Sequence, residues 1–352
     1  LDFLGWVAGF PRITDRRHAY WPGETVEKQC VMMWDRFDTR TFTAEWTATV
    51  GSSKVAGGTF KRSLVSNVPV MDKIAFAAPE TEKKTAGKIT IVFKDAEGKE
   101  IDRDEAEFEV YPRKSYPWKK APKFVLFDPD GKTEPELKRL GLVNYTKLDS
   151  LAAVGKATHL VIGAFALKKG DGWKALPMDA VDAGLKILIL PQDCEAWQAF
   201  GLNVQDRQSR ILFVRDRTNP AFKGLDDDYV REWAGAPRTS QKNAHGLQQY
   251  GSLAPHPKHE PRWTYNLAVA ALQLRSPDTV GWIPQIEGEF DMNYSALAKY
   301  STGKGSVQFC TLDCFQRFST GAKEQDAAVP VIDPAATATA NSIFADFLML
   351  PN

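Results

Sequence analysis

The stretch Lys186–Gly201, "KILILPQDCEAWQAFG", is an apolar run that turns at once into a helical pattern, with Cys194 at the corner. Several hydrolase and amidotransferase folds set a nucleophile where a strand turns into a helix, so the thiol is the first group to weigh. Such an elbow wants glycines beside the nucleophile, because the turn is strained and side chains collide there. Here the neighbours are Gln192, Asp193, Glu195 and Ala196. Two carboxylates next to the sulfur disfavour the thiolate. A base is also required. Of His18, His159, His245, His256 and His259, none stands at a recognisable partner position. His159 lies in the apolar run "THLVIG", and the "HPKHE" pair lacks the spacing of a zincin helix. The preferred reading is an inert thiol at a helix start, and an autonomous hydrolase or amidotransferase using Cys194 is the alternative.

Carboxylates and aromatic rings come next. Glu287, Glu289 and Asp291 in "QIEGEFDMNY" could act as the acid and base of glycoside hydrolysis. Spacing of two puts Glu287 and Glu289 on one face of an extended segment, too local to flank a bond, so an exposed turn is expected. The Glu105, Glu107 and Glu109 stripe reads as a solvated sheet face rather than a cation site. Ten tryptophans suggest stacking on sugar rings. Trp34 and Trp46 fit apolar faces, whereas Trp118, Trp173, Trp197, Trp233, Trp263 and Trp282 are less clearly buried.

Two grammars organise the elements around these residues. From about Tyr20 to Tyr111 the period is two: Phe42, Ala44, Trp46, Ala48 and Val50 alternate with polar residues in "TFTAEWTATV". The same alternation recurs in "ETVEKQCVMMW", "KITIVF" and "EAEFEVY", with turn clusters at 21–24, 50–58 and 95–100. Half-buried antiparallel strands in an immunoglobulin-like sandwich are expected over residues 1–112. The stretch "YPRKSYPWKKAPK" supplies a linker at 113–122. From 123 to 352 continuous apolar runs alternate with helical segments: "KFVLFDPDG", "EPELKRLGL", "ATHLVIGAF", "WKALPMDAVDAG", "LKILILPQ", "SRILFVRD", "TVGWIPQI", "GKGSVQFCTLD", then a closing helix from "PAATATANSIFADFLML". That grammar predicts a flavodoxin-like open parallel sheet with helices on both faces. Residues 238–262 read as an irregular excursion.

In such sheets ligands bind outside the carboxyl ends of the strands. The residues at that rim are Asp128, Asp130, Gly131, Gly163, Gln192, Asp193, Cys194 and Asp313. Their acids could line a polar pocket or bind a cation, and capping of helix N-termini is the preferred reading. If sugar is touched directly, Asp128, Asp130, Asp193 and Asp313 with Trp197 or Trp233 are the candidates. No metal site and no cofactor are expected.

Composition limits the partners. At 352 residues two domains are favoured, since one core seldom outgrows roughly 250–300 residues. Lys+Arg 45 against Asp+Glu 44 leaves a net charge of +1, so no overall field draws the chain to nucleic acid or anionic lipid. No apolar run is long enough for a membrane span. Four scattered cysteines make neither a disulfide framework nor a zinc ribbon, and carry no compartment signal. The opening "LDFLGWVAGF" has neither an initiator Met nor a signal-peptide pattern, as expected of a processed chain or a piece of a longer one.

Three stretches carry a family resemblance. "LDFLGWVAGFPRITDRRHAYWPGETVEKQCVMMWD" resembles an immunoglobulin-like domain found late in large bacterial glycoside hydrolases of the family 2 and β-galactosidase-like type. "AFGLNVQDRQSRILFVRDRTNPAFKGLDDDYVREWAGAP" looks like the distal α/β domain of the same proteins, and "EGEFDMNYSALAKYSTGKGSVQFCTLD" is similar to its closing strand with a Gly-Lys-Gly turn. That distal domain is similar to class I glutamine amidotransferases, but the glycine-flanked cysteine and His-x-Glu partner are missing here. The resemblance implies a catalytic (β/α)8 barrel upstream, and no element of this chain has its eightfold repeat. It implies a non-catalytic accessory region that braces the barrel, shapes the cleft or mediates subunit contacts, with the upstream domain, a glycan and a second copy as partners. A periplasmic or extracellular setting is implied by the resemblance alone. A stand-alone carbohydrate-binding module is the third reading.

Overall fold

The computed structural model of the chain describes residues 2–205, 209–237, 267–268, 271–274, 280–288, 294–314, 317–318 and 330–351. Two compact units divide it, Leu1–Lys114 and Ser115–Asn352. Strands dominate both.

The first unit holds strands β1 (Phe3–Gly9), β2 (Ala19–Tyr20), β3 (Thr25–Trp34), β4 (Arg40–Val50), β5 (Ser53–Leu64), β6 (Val70–Ala77), β7 (Thr85–Lys94) and β8 (Glu100–Val110). They form one sheet in the order β1-β3-β6 and another in the order β2-β8-β7-β4-β5. All pairings are antiparallel except that of the short β2 with β8. Alternation buries one face of each sheet, and Cys30, Met32 and Trp34 share a single core with Phe42, Trp46, Ile89, Ile91, Phe93 and Phe108. Gly87 lies under the Phe108 ring, where a Cβ would stand 2.3 Å from its Cζ. The run 50–58, expected as a turn cluster, turns only at Gly51 and Ser52. Val50 pairs with Ser53, and β5 continues for 12 residues. Its paired Gly57 and Gly58 lie opposite Thr47 and Trp46; Gly58 makes room for the Trp46 indole, and Gly57 lies close to the Trp46 carbonyl and the Lys54 side chain, so neither reverses the chain. The acidic stripe also divides: Glu105 is exposed and pairs with Lys88 at 2.8 Å, while Glu109 is buried 3.7 Å from His18 Nε2.

The second unit begins inside the stretch expected as a linker. Trp118 is buried and stacked on Tyr116 at 5.4 Å, so the end of 113–122 is part of a folded body. Its elements are β9 (Phe124–Phe127), α1 (Glu134–Arg139), β10 (Tyr145–Lys147), β11 (His159–Ile162), α2 (Gly172–Ala175), α3 (Met178–Ala183), β12 (Lys186–Ile189), α4 (Cys194–Gln198), β13 (Asn203–Gln205), β14 (Leu212–Val214), β15 (Ala236–Pro237), β16 (Ala271–Gln273), β17 (Trp282–Gly288), β18 (Tyr294–Thr302), β19 (Gly305–Cys310), β20 (Arg317–Phe318), β21 (Pro330–Val331) and α5 (Pro334–Met349). The large sheet runs β10-β9-β11-β12-β19-β18-β16-β13, with β17 on β18 and β14 on β17. β15, β20 and β21 form a small separate sheet.

The parallel sheet expected from the sequence extends only from β10 to β19. Beyond β19 every pairing of this sheet is antiparallel. Gly303 and Lys304 alone join β18 to β19, and so short a link cannot reach back to start a parallel strand. Both faces of the sheet meet helices. Leu160, Ile162, Ile187, Ile189, Val307 and Phe309 pack with Val181, Ala196 and Trp197 from α3 and α4. Alternate residues meet α5: His159 lies edge-on to Phe347 at 5.3 Å, and Gln308 Nε2 donates to Asp346 Oδ2 at 2.9 Å. Asp333 starts α5 by accepting from Ala336 N at 3.0 Å, with Pro334 in the first turn where a missing N–H costs nothing. The excursion 238–262, with His245, His256 and His259, and also Trp263, Glu289 and Asp291, lies outside the described residues.

Candidate functional site

At the carboxyl ends of β9, β11 and β12, Asp128, Thr133 and Gln192 bond back into the protein. Asp128 accepts from the backbone N–H groups of Lys132 at 3.1 Å, Thr133 at 2.9 Å and Glu134 at 3.0 Å. The carboxylate therefore sits at the start of α1, where an anionic ligand would otherwise find its donors. Thr133 Oγ1 accepts from Ala164 N at 2.7 Å and so ties the β9 loop to the β11 loop. Gln192, fully buried, donates through Nε2 to Gly163 O and Leu190 O and accepts from Leu167 N. Space here is short as well: a Cβ on Gly163 would stand 2.8 Å from Asp128 Oδ1. Capping by Asp128 is what the geometry provides. Asp130 is exposed and pairs with Lys132 at 2.8 Å.

Cys194 opens α4 and is half-buried. Left-handed backbone among the described non-glycine residues occurs at Asn67, Phe165 and Glu232, so Cys194 lacks the strained conformation of a nucleophile elbow. Phe165, at the same edge, carries it instead, with its N–H on Pro191 O at 2.8 Å. His159 starts β11 and is thus at the opposite end of the sheet from Cys194, which follows β12. Burial, followed by the Lys186 charge, pushes its pKa down to about 4. Asp193 precedes α4 without a side-chain cap bond, and its Oδ1 is buried without a hydrogen-bond partner.

The tryptophans proposed for this rim do not offer their faces. Trp197 and Trp233 are both 0% exposed; Trp197 belongs to the core against Phe309, and Trp233 Nε1 donates to Tyr229 O at 2.7 Å. Asp313 is also fully buried. Glu287, expected in an exposed turn, lies buried in β17 with Arg215 Nε at 3.0 Å and Ser295 Oγ at 3.4 Å. Burial raises its pKa in spite of the arginine. It sits there because β17 and β18 pair over their length, which covers what the local pattern left open.

A different place holds open space. On the face covered by α2–α4, a cavity of about 520 Å³ opens beside the β18–β19 hairpin, lined by Trp173, Phe200, Trp282 and Tyr300 together with Asp182 and Thr302. Trp173, Trp282 and Tyr300 are each half-buried. Trp282 and Tyr300 are direct cross-strand neighbours with centroids 5.2 Å apart, and Trp173 is also 5.2 Å from Tyr300. Trp173 Nε1 donates to Phe200 O at 2.9 Å, which fixes the indole orientation. Thr302 Oγ1 donates to Asp182 Oδ1 at 3.0 Å. The Gly-Lys-Gly turn makes this approach possible: a Cβ on Gly303 would stand 2.6 Å from Asp182 Cα, and one on Gly305 2.2 Å from Val181 O.

The sequence pattern puts the sugar candidates at Trp197 and Trp233, and gives Trp173 and Trp282 only as tryptophans less clearly buried. One signal was present. Trp173 and Trp282 directly follow Gly172 and Gly281, at the starts of their elements, whereas Trp197 sits inside a helix with Ala196 and Phe200 on its apolar side. Among the described residues no group of three or more His, Cys, Asp or Glu is placed to hold a metal ion, and no helix is long and apolar enough to cross a membrane.

No family model matches the chain, and no curated protein matches it. Solved structures similar to parts of it include the CARDB domain of the PF1109 protein from Pyrococcus furiosus in complex with di-metal ions, at 10% identity and TM-score 0.24 over 32% of this chain and 94% of that one. The sporulation control protein Spo0M from Bacillus subtilis matches at 11% identity and TM-score 0.21, over 33% of this chain and 50% of its own. The Pseudomonas fluorescens alkylpurine DNA glycosylase AlkC, bound to DNA containing an abasic site analog, matches at 11% identity and TM-score 0.21, over 31% of this chain and 30% of its own. At these TM-scores none of the three speaks for the fold or the function of this chain.

Proposed function

We propose that this chain is a non-catalytic accessory region of a carbohydrate-degrading enzyme of the glycoside hydrolase family 2 and β-galactosidase-like type, composed of an immunoglobulin-like sandwich and an amidotransferase-like α/β domain. The observation that carries the reading is the outer face of the β1-β3-β6 sheet. Leu4 pairs with Met33, and Trp6 with Val31 and through it Met71, so these side chains form one apolar stripe on the side away from the core. Leu4 is 37% and Met71 51% exposed, Trp6 and Met33 are half-buried, and Val31 in the middle of the stripe is 1% exposed. An outward apolar stripe on a sheet is a packing surface for another folded body. Its occupant in this reading is the upstream catalytic barrel.

The second unit supports the same reading. Its parallel strands run β10-β9-β11-β12-β19, the doubly wound order whose ligand crevice lies between β9 and β11, the first and third of them along the chain. In this chain Asp128 and Thr133 fill that crevice with internal hydrogen bonds, and Gln192 does the same between β11 and β12. The isolated chain is expected to hydrolyse no aryl glycoside or glutamine. In the complete gene product, Trp6→Glu with Met71→Glu is expected to loosen the region from the barrel and to lower barrel stability in limited proteolysis. Glycoside hydrolysis by the isolated chain would overturn the proposal, as would a charged stripe that changes nothing in the complete product.

A further inference from the structure

The aromatic cavity has a chemistry of its own. Its walls are rings together with the aliphatic side chains of Met178, Leu202 and Val280, and its polar side chains are a carboxylate and a hydroxyl. None of the described lining residues is cationic, so an anionic ligand would meet Asp182 without a compensating charge. A flat heteroaromatic ligand would need two parallel walls. The rings here are inclined at 44° for Trp282 with Tyr300, 59° for Trp173 with Tyr300 and 65° for Trp173 with Trp282, which makes a faceted bowl instead.

A faceted apolar bowl with hydrogen-bond acceptors suits a ligand having C–H faces and an edge of hydroxyl donors. Asp182 accepts one bond from Thr302, and a carboxylate has further acceptor sites, while the Thr302 oxygen can itself accept. The Trp173 side chain spends its only N–H on Phe200 O, so it presents ring surface alone. The volume of about 520 Å³ lies within the usual range for small-ligand sites. We propose that this cavity binds a neutral saccharide, one sugar ring resting on the Trp282–Tyr300 pair with hydroxyls donating to Asp182 and Thr302. The site stands on the cavity's own geometry and goes beyond the accessory reading.

The test uses the whole chain, titrated with galactose, lactose, cellobiose and xylobiose and followed by indole fluorescence and by saturation-transfer NMR. At least one sugar is expected to bind with millimolar affinity. Asp182→Ala, at an exposed position, and Trp282→Ala are each expected to weaken binding by about tenfold, the loss of one good contact. Trp282→Phe keeps a ring face and is expected to stay within about threefold. A circular-dichroism melt checks each fold; should Trp282→Ala unfold, Asp182→Ala and Trp282→Phe still decide. No response to any of the four sugars up to about 50 mM, far above a millimolar constant, overturns the site. So does binding that Asp182→Ala leaves unchanged, or a preference for indole over every sugar. A chain that binds sugar but is dispensable for hydrolysis and stability in the complete gene product keeps the site and sinks the accessory reading.

Discussion

Two polar regions of the second unit lie at different ends of its parallel strands, and they differ in what their side chains have left to give. At the carboxyl ends of β9, β11 and β12, Asp128, Thr133 and Gln192 are consumed by backbone groups, and Gly163 leaves no room beside them. Beside the β18–β19 hairpin, Trp173, Trp282 and Tyr300 keep part of their surface open around free space, and the Asp182 carboxylate is held by one bond from Thr302. The first region looks like a site by topology, and the second by unspent surface. Ligand recognition needs groups that folding has not already satisfied.

The sharpest way to break that contrast is to exchange roles between tryptophans. Trp197→Ala empties a fully buried position and is expected to cost about 3–5 kcal/mol, read by denaturant unfolding. Next, Asp128→Ala strips three N–H groups of their acceptor and is expected to cost about 2–3 kcal/mol, with Asp128→Asn milder because an acceptor oxygen remains. If Asp128→Ala proved neutral, the carboxyl-end region would be free to bind and the contrast would collapse. Trp282→Ala is expected to cost less, about 2 kcal/mol, since its ring keeps part of its surface in water.

A pH measurement examines the amino end of the sheet on its other face. His159 titrates at about 4 in the folded chain against 6.5 for a free imidazole. Between those values the unfolded chain binds more protons, so stability falls as pH drops from about 6.5 toward about 4. His159→Gln is expected to flatten that decline by on the order of 1 kcal/mol, allowing for partial solvent screening, in melts across this range. The smallest effect belongs to Cys194→Ser, within about 0.5 kcal/mol at a half-buried position. Iodoacetamide near neutral pH is expected to label Cys194 slowly, while burial holds Cys30 and Cys310 up at about 12 and protects them. Rapid labelling abolished by Cys194→Ser would restore the thiol as a nucleophile candidate.

Much of the fold was legible locally. Alternation announced β3, β4, β7 and β8, and apolar runs announced β9, β11, β12 and β19. Neither β1 nor β6 shows clean alternation. β5 was concealed by its glycines, of which Gly58 makes room for the Trp46 indole on the neighbouring strand. The antiparallel half of the large sheet was missed because apolar runs do not state their direction. Of the proposed rim residues, Asp128 followed the capping reading, while Trp197, Trp233 and Asp313 went to the interior.

By itself the sequence determined the two grammars, the change between them near residue 113, and a Cys194 corner without flanking glycines. These rest on properties of neighbours a few residues apart: steric limits on turns, side-chain alternation and charge. The tertiary structure alone decided which tryptophans keep a face open and which carboxylates are already bonded. Gly163 meets Asp128, and Thr302 reaches Asp182, across spans of chain that local pattern does not see. Exposure and hydrogen-bond satisfaction are properties of packed surfaces, and they come into being only when distant segments close on one another.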